Sequence, residues 1–428
     1  MQQKIWLIVL VNLLWALIPV PVIQLFATYS VFIVFLLRFF YSGVIILIIS
    51  FVLMIWYKHS HPDFSMKVIF QYLRSPNRDY RNLSQLSYFT ILGGIGITLQ
   101  IIFFFYSFKF LGVVVTVIGF PISLLLVTIF SRETMDFFKG IYLAVLVIAT
   151  ILIGVGRFDV AADSLMNPAG WLSLIIFTLS MTFLMNQMVR DPLNPWETEL
   201  IIKTHSFYKI LRPLIKTGCM FLIAAAFAFP IAGLFMLFPA TSVFQQDAAK
   251  FWGQLSDLGP LFISSQGFFL IFGATVIPWS IFFVTQAYWD RESLPFDTWG
   301  SILAILEPLG SIFFGVLIIQ EQFPLIYLFV VMLLLTLSIL LRYVHETSDK
   351  VLAYVGVRLV PQQEKQVYED LFHLKDIITI YSVVGDFDLI LFVRAMNVLE
   401  FNKLVREKLQ SNPGIEQVDS FLVEDVLK

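Results

Sequence analysis

Glu307 is the one charge inside the apolar run 302–319, ILAILEPLGSIFFGVLII, and Pro308 follows it directly. A charge at membrane depth costs about 2.5–3.5 kcal/mol on insertion scales and by default marks a substrate, ion or proton pathway. Pro308 removes a backbone N–H and kinks a helix, and the carbonyls it frees need other partners. A kinked apolar helix holding a buried acid suits the wall of a polar pathway. The Glu307 carboxylate can bind a cationic substrate group or carry a proton. It can equally form a structural ion pair with Arg38, which lies deep in the run 30–57 and requires a partner because it cannot snorkel. Such a pair would be neutral overall and costly to break on one side. Lys109 sits at the end of another run, where snorkelling accounts for it.

Asn12, Gln24, Gln100, Asn186, Gln266 and Gln286 are uncharged polar residues in or near apolar runs. Each can hydrogen-bond between helices for about 0.6–2 kcal/mol, and only a cluster facing Glu307 makes a site. Gly93, Gly94 and Gly96 allow close helix approach. Trp15 and Trp279 can line a pathway, although packing or interface anchoring is the plainer reading. His59-x-His61 in a polar loop is a weak metal signal. No Ser/His/Asp or Cys/His set and no phosphate-cradling glycine loop is present, so enzyme chemistry and a cofactor have no residues to stand on.

The elements that must position these residues follow from composition. The 428 residues are 58% hydrophobic and 14% charged, against about 25% charged in soluble domains, which puts the chain in the membrane class. A net charge of −2 gives a nucleic-acid partner no support. The lone Cys219 excludes an intrachain disulfide and reads as packing. Runs long enough to span fall near 5–26, 30–57, 86–108, 113–130, 140–156, 171–188, 218–238, 264–288, 301–319 and 324–343, about ten in all. The first is too long for a signal peptide and lacks a small-residue cleavage site, so it reads as a retained span. The basic loops 58–85 and 189–217 are four runs apart and therefore on one side. The Lys/Arg bias puts both loops and both termini in the cytoplasm.

Ten runs divide into two sets of five, and an odd number per half makes the halves point opposite ways. In the first half Tyr106 precedes Pro121 and a run that ends at Glu133. In the second, Tyr288 precedes Pro308 and a run that ends at Glu321. Paired interrupted helices in inverted halves point to a transporter site near the midplane. Beyond residue 343 the composition turns polar and well charged. VLAYVGVRLV (351–360) alternates as a strand, a helix is expected from Pro361 to about Leu374, and 377–384 and 387–395 are strands joined through Gly385-Asp386. Residues 398–410 form an amphipathic helix stopped by Asn412-Pro413-Gly414, and 415–426 is a last strand. The order is βαββαβ, a ferredoxin-like unit.

The Trp15 region, Leu37-Arg38, Glu307-Pro308 with Gln320-Glu321, and the first-half Pro121 and Glu133 resemble the drug/metabolite transporter superfamily, in its ten-span branch of two EamA-type repeats. The first half departs from the pattern, with Phe120 where the second half has Glu307. The resemblance implies a secondary carrier, often an exporter of amino acids or other small metabolites. It gives a substrate-pathway set of Glu307, Pro308, Arg38, Pro121, Trp15 and Asn12. VVGDFDLILFV (383–393) and LVREKLQSNPGIEQVDSFLV (404–423) resemble the effector-binding domain of the Lrp/AsnC regulators. That resemblance implies dimerisation through the sheet and an amino acid bound near the Gly-Asp turn, at Gly385, Asp386 and Asp388. Without it, Gly385 needs only a positive φ in its turn, and the two acids are turn and edge charges. No helix-turn-helix precedes Val351, so DNA binding is not expected.

The expected fold is an all-α polytopic membrane bundle of about ten transmembrane helices in two inverted five-helix repeats, followed by a soluble α+β ferredoxin-like domain. The expected domains are 1–156, 157–343, a linker 344–350, and 351–428. The expected function is a small-metabolite carrier in the inner (plasma) membrane, with an amino-acid effector and a homodimer through the C-terminal domain. One rival is a membrane-anchored receptor or scaffold that transports nothing, and another keeps the carrier but makes the tail a dimerisation module only.

Overall fold

The computed structural model describes residues 2–428 except 63, 78–82, 131–136, 189–193, 205–206, 290–295, 348–350, 373, 375, 396–397 and 423–428. Glu133, one of the paired acids, lies outside the described residues. The chain divides into two compact units, one built from Met1–Trp289 with Phe296–Leu341, the other containing Arg342–Lys428.

Among the described residues, eight helices are long and apolar enough to cross a membrane: Lys4–Phe26, Val31–Ser60, Gln85–Leu111, Lys139–Asp159, Pro168–Met185, Phe207–Phe235, Ser265–Ala287 and Leu325–His345. Two of the ten runs expected from the sequence are shorter apolar helices, Val113–Val127 and Leu306–Leu317. Proline is the physical cause. Pro121 and Pro308 cannot donate to the carbonyls four residues back, Val117 and Ala304. In both places the residue just before the proline takes that carbonyl instead: the Phe120 amide donates to Val117 O at 3.2 Å, and the Glu307 amide to Ala304 O at 3.3 Å. Each chain turns there and starts a new helix, Gly119–Phe130 in one case and Leu306–Leu317 in the other.

The Gln85–Leu111 and Ser265–Ala287 spans also match in detail. Ser84 caps one by accepting from the Ser87 amide, and Ser264 caps the other by accepting from the Gly267 amide. Each then widens into an eight-residue π-helix, Thr90–Ile97 and Phe269–Val276. A threonine hydroxyl closes each wide segment five residues back: Thr98 Oγ1 donates to Gly93 O at 3.0 Å, and Thr275 Oγ1 to Leu270 O at 2.8 Å. A Cβ on Gly93 would collide with the Met220 carbonyl, so the glycine permits close approach, as expected.

Packing between spans is reciprocal. Val31–Ser60 and Phe207–Phe235 lie along each other. The first π segment packs on Phe207–Phe235, and the second on Val31–Ser60. Gln2–Ala16 packs on Ile277–Ala287 and Leu306–Leu317, while Pro168–Met188 packs on Thr98–Leu111 and Gly119–Phe130. The helix Phe137–Leu165 runs on past residue 156. Leu325–Thr347 likewise continues through the first four residues of the expected linker 344–350.

The second unit is a four-stranded antiparallel sheet of β1 (Val351–Leu359), β2 (Ile377–Ser382), β3 (Leu389–Ala395) and β4 (Ile415–Leu422), in the order β2-β3-β1-β4. Alternation places Ala353, Val355 and Val357 of β1 and Leu389, Leu391 and Val393 of β3 in one core with Val367, Leu371 and Phe401 of the helices. The expected βαββαβ order is present. The first helix begins at Glu364, later than the expected Pro361, because Gln362 adopts φ +72° in the preceding turn. The second is α-helical over Val398–Leu404 and π-helical over Val405–Leu409.

Candidate functional site

The two proline breaks converge. Phe120-Pro121 and Glu307-Pro308 line one small cavity of about 40 Å³, with Met181 and Met185 of the Pro168–Met188 helix on its wall. Glu307 is the only ionisable group that lines it. Among the described residues its carboxylate has no hydrogen-bond or ion-pair partner within 4.0 Å. Serine hydroxyls hold both of the short helices that follow the breaks to a neighbour. Ser123 Oγ donates to Thr178 O at 3.1 Å, and Ser311 Oγ to Ala16 O at 3.3 Å.

Arg38 is buried and donates from Nε to Thr275 Oγ1 at 2.9 Å. Its guanidinium lies over the Phe39 ring, 5.1 Å from the centroid. Arg38 and Glu307 act on each other electrostatically, yet no direct ion pair joins them among the described residues. Only Nε is used, so the two terminal guanidinium nitrogens have no protein acceptor among the described residues. The closed structural ion pair of the simplest reading is therefore replaced by two separated, mutually attracting charges.

The rest of the expected pathway set lies elsewhere. Trp15 stacks in an aromatic cluster, 5.2 Å from Trp279 and 5.9 Å from Phe282. Asn12 is buried and its amide donates to Ile8 O, in its own helix, at 2.8 Å. Gln100 donates to the cavity-lining Met181 sulfur at 2.7 Å, whereas Gln24 and Gln286 are exposed and Gln266 accepts from its neighbour Ser265. The side chain of Asn186 lies outside the described residues. Tyr57 stacks on His61 at 4.2 Å, and no cluster of metal-ligating side chains occurs among the described residues.

Buried acids tie the bundle at its two ends. At one end Asp247, in the connection between spans, accepts from the Val31 amide at 2.9 Å, Tyr106 Oη at 3.0 Å and Lys109 Nζ at 2.7 Å. Lys109 is exposed at the end of its span and also meets a carboxylate more than a hundred residues away, a partner the snorkelling reading did not include. Beside it, Glu321 Oε2 accepts from the Val113 and Val114 amides, and Glu321 Oε1 lies 3.4 Å from Arg157 Nη2. At the opposite end fully buried Glu197 accepts from the Asn194 amide, Tyr208 Oη and Arg212 Nε. Sequence reasoning missed Asp247 and Glu197. The only local signal was an acid within a short amphipathic segment, VFQQDAAKFWG or PWETEL.

In the second unit Gly385 takes φ +154°, the positive value expected at that turn. Asp386 and Asp388 differ in role. Asp388 Oδ2 accepts from the Leu359 amide at 2.7 Å, so it fastens the end of β1 and is more than an edge charge. The Asp386 carboxylate is exposed, while its backbone carbonyl is gripped by Arg358 Nη2 at 2.8 Å and Nε at 3.1 Å. Next to this turn the helix-free face of the sheet holds a hollow of about 520 Å³ lined by Tyr354, Gly356, Tyr381, Phe387 and Phe421. Gly356 lets the Phe387 ring lie flat on β1, since a Cβ there would collide with it.

Residues 352–428 match the family model described as the Lrp/AsnC ligand binding domain. The chain thus carries an Lrp/AsnC-type ligand-binding domain. The match covers all four strands except the first residue of β1. The chain is also similar to the crystal structure of TTHA0845 from Thermus thermophilus, at 26% identity and a TM-score of 0.18. That similarity covers 18% of this chain and 98% of the other. No curated protein matches the chain. In the Lrp/AsnC-type domain the turn 385–388 and the aromatic hollow are neighbours on one surface.

Proposed function

We propose that the helical unit is a ten-span secondary carrier of a small metabolite, an amino acid or a close relative, and that the Lrp/AsnC-type domain is its amino-acid sensor. One observation carries the reading: Glu307, a carboxylate without a partner among the described residues, lines a cavity built from both proline breaks. Interrupted helices meeting at one point are the expected design of an alternating-access site. Two inverted repeats are supported by the reciprocal packing, the paired π segments with their serine caps, and the paired serine ties. In this reading the two short helices are the fourth and ninth spans. The basic loops and both termini face the cytoplasm, and the acid-tied end at Asp247 and Glu321 faces outward.

The sensor would act by binding its amino acid differently in the inward and outward states of the carrier. A second copy would cover the helix-free face of the sheet, where Tyr354, Tyr381 and Phe421 are each more than 40% exposed. The deciding experiment is amino-acid flux in proteoliposomes with the intact protein, the Glu307→Gln variant and a chain ending at residue 347. Flux that Glu307→Gln abolishes and that amino acid on the sensor's side of the membrane regulates only in the intact protein supports both halves. Binding to the sensor domain without any flux favours a membrane-anchored receptor.

A further inference from the structure

We infer that a hollow at the basic-loop end of the helical unit holds an anionic phospholipid, its phosphate at Ser60 and His61 and an acyl chain along the Val31–Ser60 span. The site is separate from the proline breaks. It rests on the membrane-spanning reading and not on transport. The hollow holds about 420 Å³, within the range of small-molecule sites, about 300–1,000 Å³. Three spans meet there: the last two turns of Val31–Ser60, the first turn of Phe207–Phe235, and Tyr288 just past Ser265–Ala287.

The lining changes character with depth. Leu53 and Ile210 are the lining residues set furthest into their spans, whereas Ser60, His61 and Thr204 stand at or beyond the span ends. The Tyr57 ring stacks on both His61, at 4.2 Å, and Phe207, at 3.8 Å, which makes one wall rigid. Trp56 and Tyr288 are 66% and 53% exposed, and amphipathic rings of this kind sit at headgroup level. From Trp56 an exposed apolar face continues one and two turns deeper, at Val52 and Ile48. An amphiphile fits this gradient. A soluble ion would leave the apolar part uncovered, and a plain hydrocarbon would leave the polar end unmet.

The polar end suits an anion. The Ser60 hydroxyl has no hydrogen-bond partner among the described residues. His61 Nδ1 lies 3.3 Å from the Tyr57 carbonyl oxygen, which can only accept, so Nδ1 carries the proton and Nε2 is left for a ligand. In the imidazolium form Nε2 donates as well. Lys4 Nζ donates to Tyr288 O at 2.6 Å, which brings an ammonium beside the hollow. Lys58 and His59 in the last turn offset the negative pole of their helix end. Among the described residues no acid lines the hollow. In sequence, Lys58, Lys203, Lys209 and Arg291 stand within three residues of a lining residue, against Asp63 and Asp290, while Arg212 is already paired with Glu197. Each Lys or Arg near an anionic lipid surface is worth about fivefold in binding.

The test places the full chain in phosphatidylcholine bilayers containing phosphatidylglycerol with brominated acyl chains, which quench tryptophan on contact. The Trp56 signal is the difference between the unaltered protein and Trp56→Phe. Brominated phosphatidylglycerol is expected to half-quench it at a mole fraction about tenfold or more below that needed with brominated phosphatidylcholine. Lys58→Ala combined with His61→Ala is expected to cut this preference about fivefold or more. Lys67→Ala, an exposed cation that does not line the hollow, is expected to leave it unchanged. Equal quenching by the two lipids overturns the proposal. A loss with Lys67→Ala as large as with the double variant also overturns it, because the attraction is then diffuse surface charge. Millimolar inorganic phosphate restoring the signal overturns the lipid as occupant and makes the hollow a site for a soluble anion. If either set of variants fails to fold, the melting temperature of the unaltered protein decides. A saturable rise with phosphatidylglycerol and none with phosphatidylcholine supports the site, and equal rises overturn it.

Discussion

Glu321 Oε2 lies 2.9 Å from the Val113 amide nitrogen, so the acid that closes one interrupted run caps the helix that opens the other. The cap is needed because Gly112, at φ +83°, turns the chain sharply and leaves the first amides of Val113–Thr116 without helical acceptors. Arg157 then anchors the same segment through Gln322 O at 2.7 Å. Glu321→Gln keeps the shape but removes the charge from two amide contacts and one ion pair. It is expected to destabilise the detergent-solubilised protein by about 1.5–3 kcal/mol, read as a lowered melting temperature. An unchanged melting temperature would show that the cap is not holding the end of the bundle.

Asp247 joins three elements, and its three contacts should not be equal. Removing the acid in Asp247→Ala strands the Lys109 ammonium and exposes the Val31 amide and Tyr106 hydroxyl to an apolar surround. Lys109 keeps 27% of its side chain exposed against 2% for Asp247, so water relieves part of the stranded charge and a loss of about 1.5–3 kcal/mol is expected. Tyr106→Phe deletes one neutral donor and leaves the other two in place, so about 0.5–1.5 kcal/mol is expected. Thermal denaturation of both variants under one condition tests the ranking. Equal effects would mean that the Tyr106 hydroxyl, and not the Lys109 charge, carries the tie.

Some of this was legible in the sequence because it is local. Pro121 and Pro308 break helices wherever they fall, and their matching positions foretold that the breaks would meet. Alternation along VLAYVGVRLV fixed which side of β1 is core. The π segments left no such trace, since in a stretch as uniformly apolar as TILGGIGI a change of period moves no polar residue. The partner of Lys109 was hidden for another reason. Its partner Asp247 stands 138 residues away in the chain, and no spacing rule connects them. The separation of Arg38 from Glu307 was equally invisible, because it depends on Thr275 taking the Arg38 Nε.

In the Lrp/AsnC-type domain the two acids of the turn should separate stability from recognition. Asp388→Ala removes the acceptor of the Leu359 amide, and a loss of about 1–3 kcal/mol in the urea stability of residues 348–428 is expected. Asp386→Ala touches no side-chain hydrogen bond among the described residues and should leave that stability within about 0.5 kcal/mol of the parent. Calorimetric titration with the common amino acids then tells whether Asp386 serves a ligand. Selective binding that Asp386→Ala weakens assigns it to recognition. Unaltered binding returns the site to the aromatic hollow, where Gly356→Val, by displacing Phe387, is the next variant to measure.

Phe120 precedes Pro121 as Glu307 precedes Pro308, and both line the same cavity. Its ring packs on Phe104 at 5.7 Å and on Phe177 at 5.6 Å. Phe120→Glu would bring a second carboxylate to a cavity whose one acid is already balanced against a single guanidinium. Like charges sharing a site oppose each other's ionisation, so on the proposed carrier reading the variant should transport poorly. In a Glu307→Gln background the same substitution restores one acid, and its penalty should shrink. A double-mutant cycle on flux is therefore expected to show a coupling of about 0.5–3 kcal/mol between the two positions. If the two effects simply multiply, Phe120 and Glu307 do not act on one solute, and the cavity is a packing void between two separately broken helices.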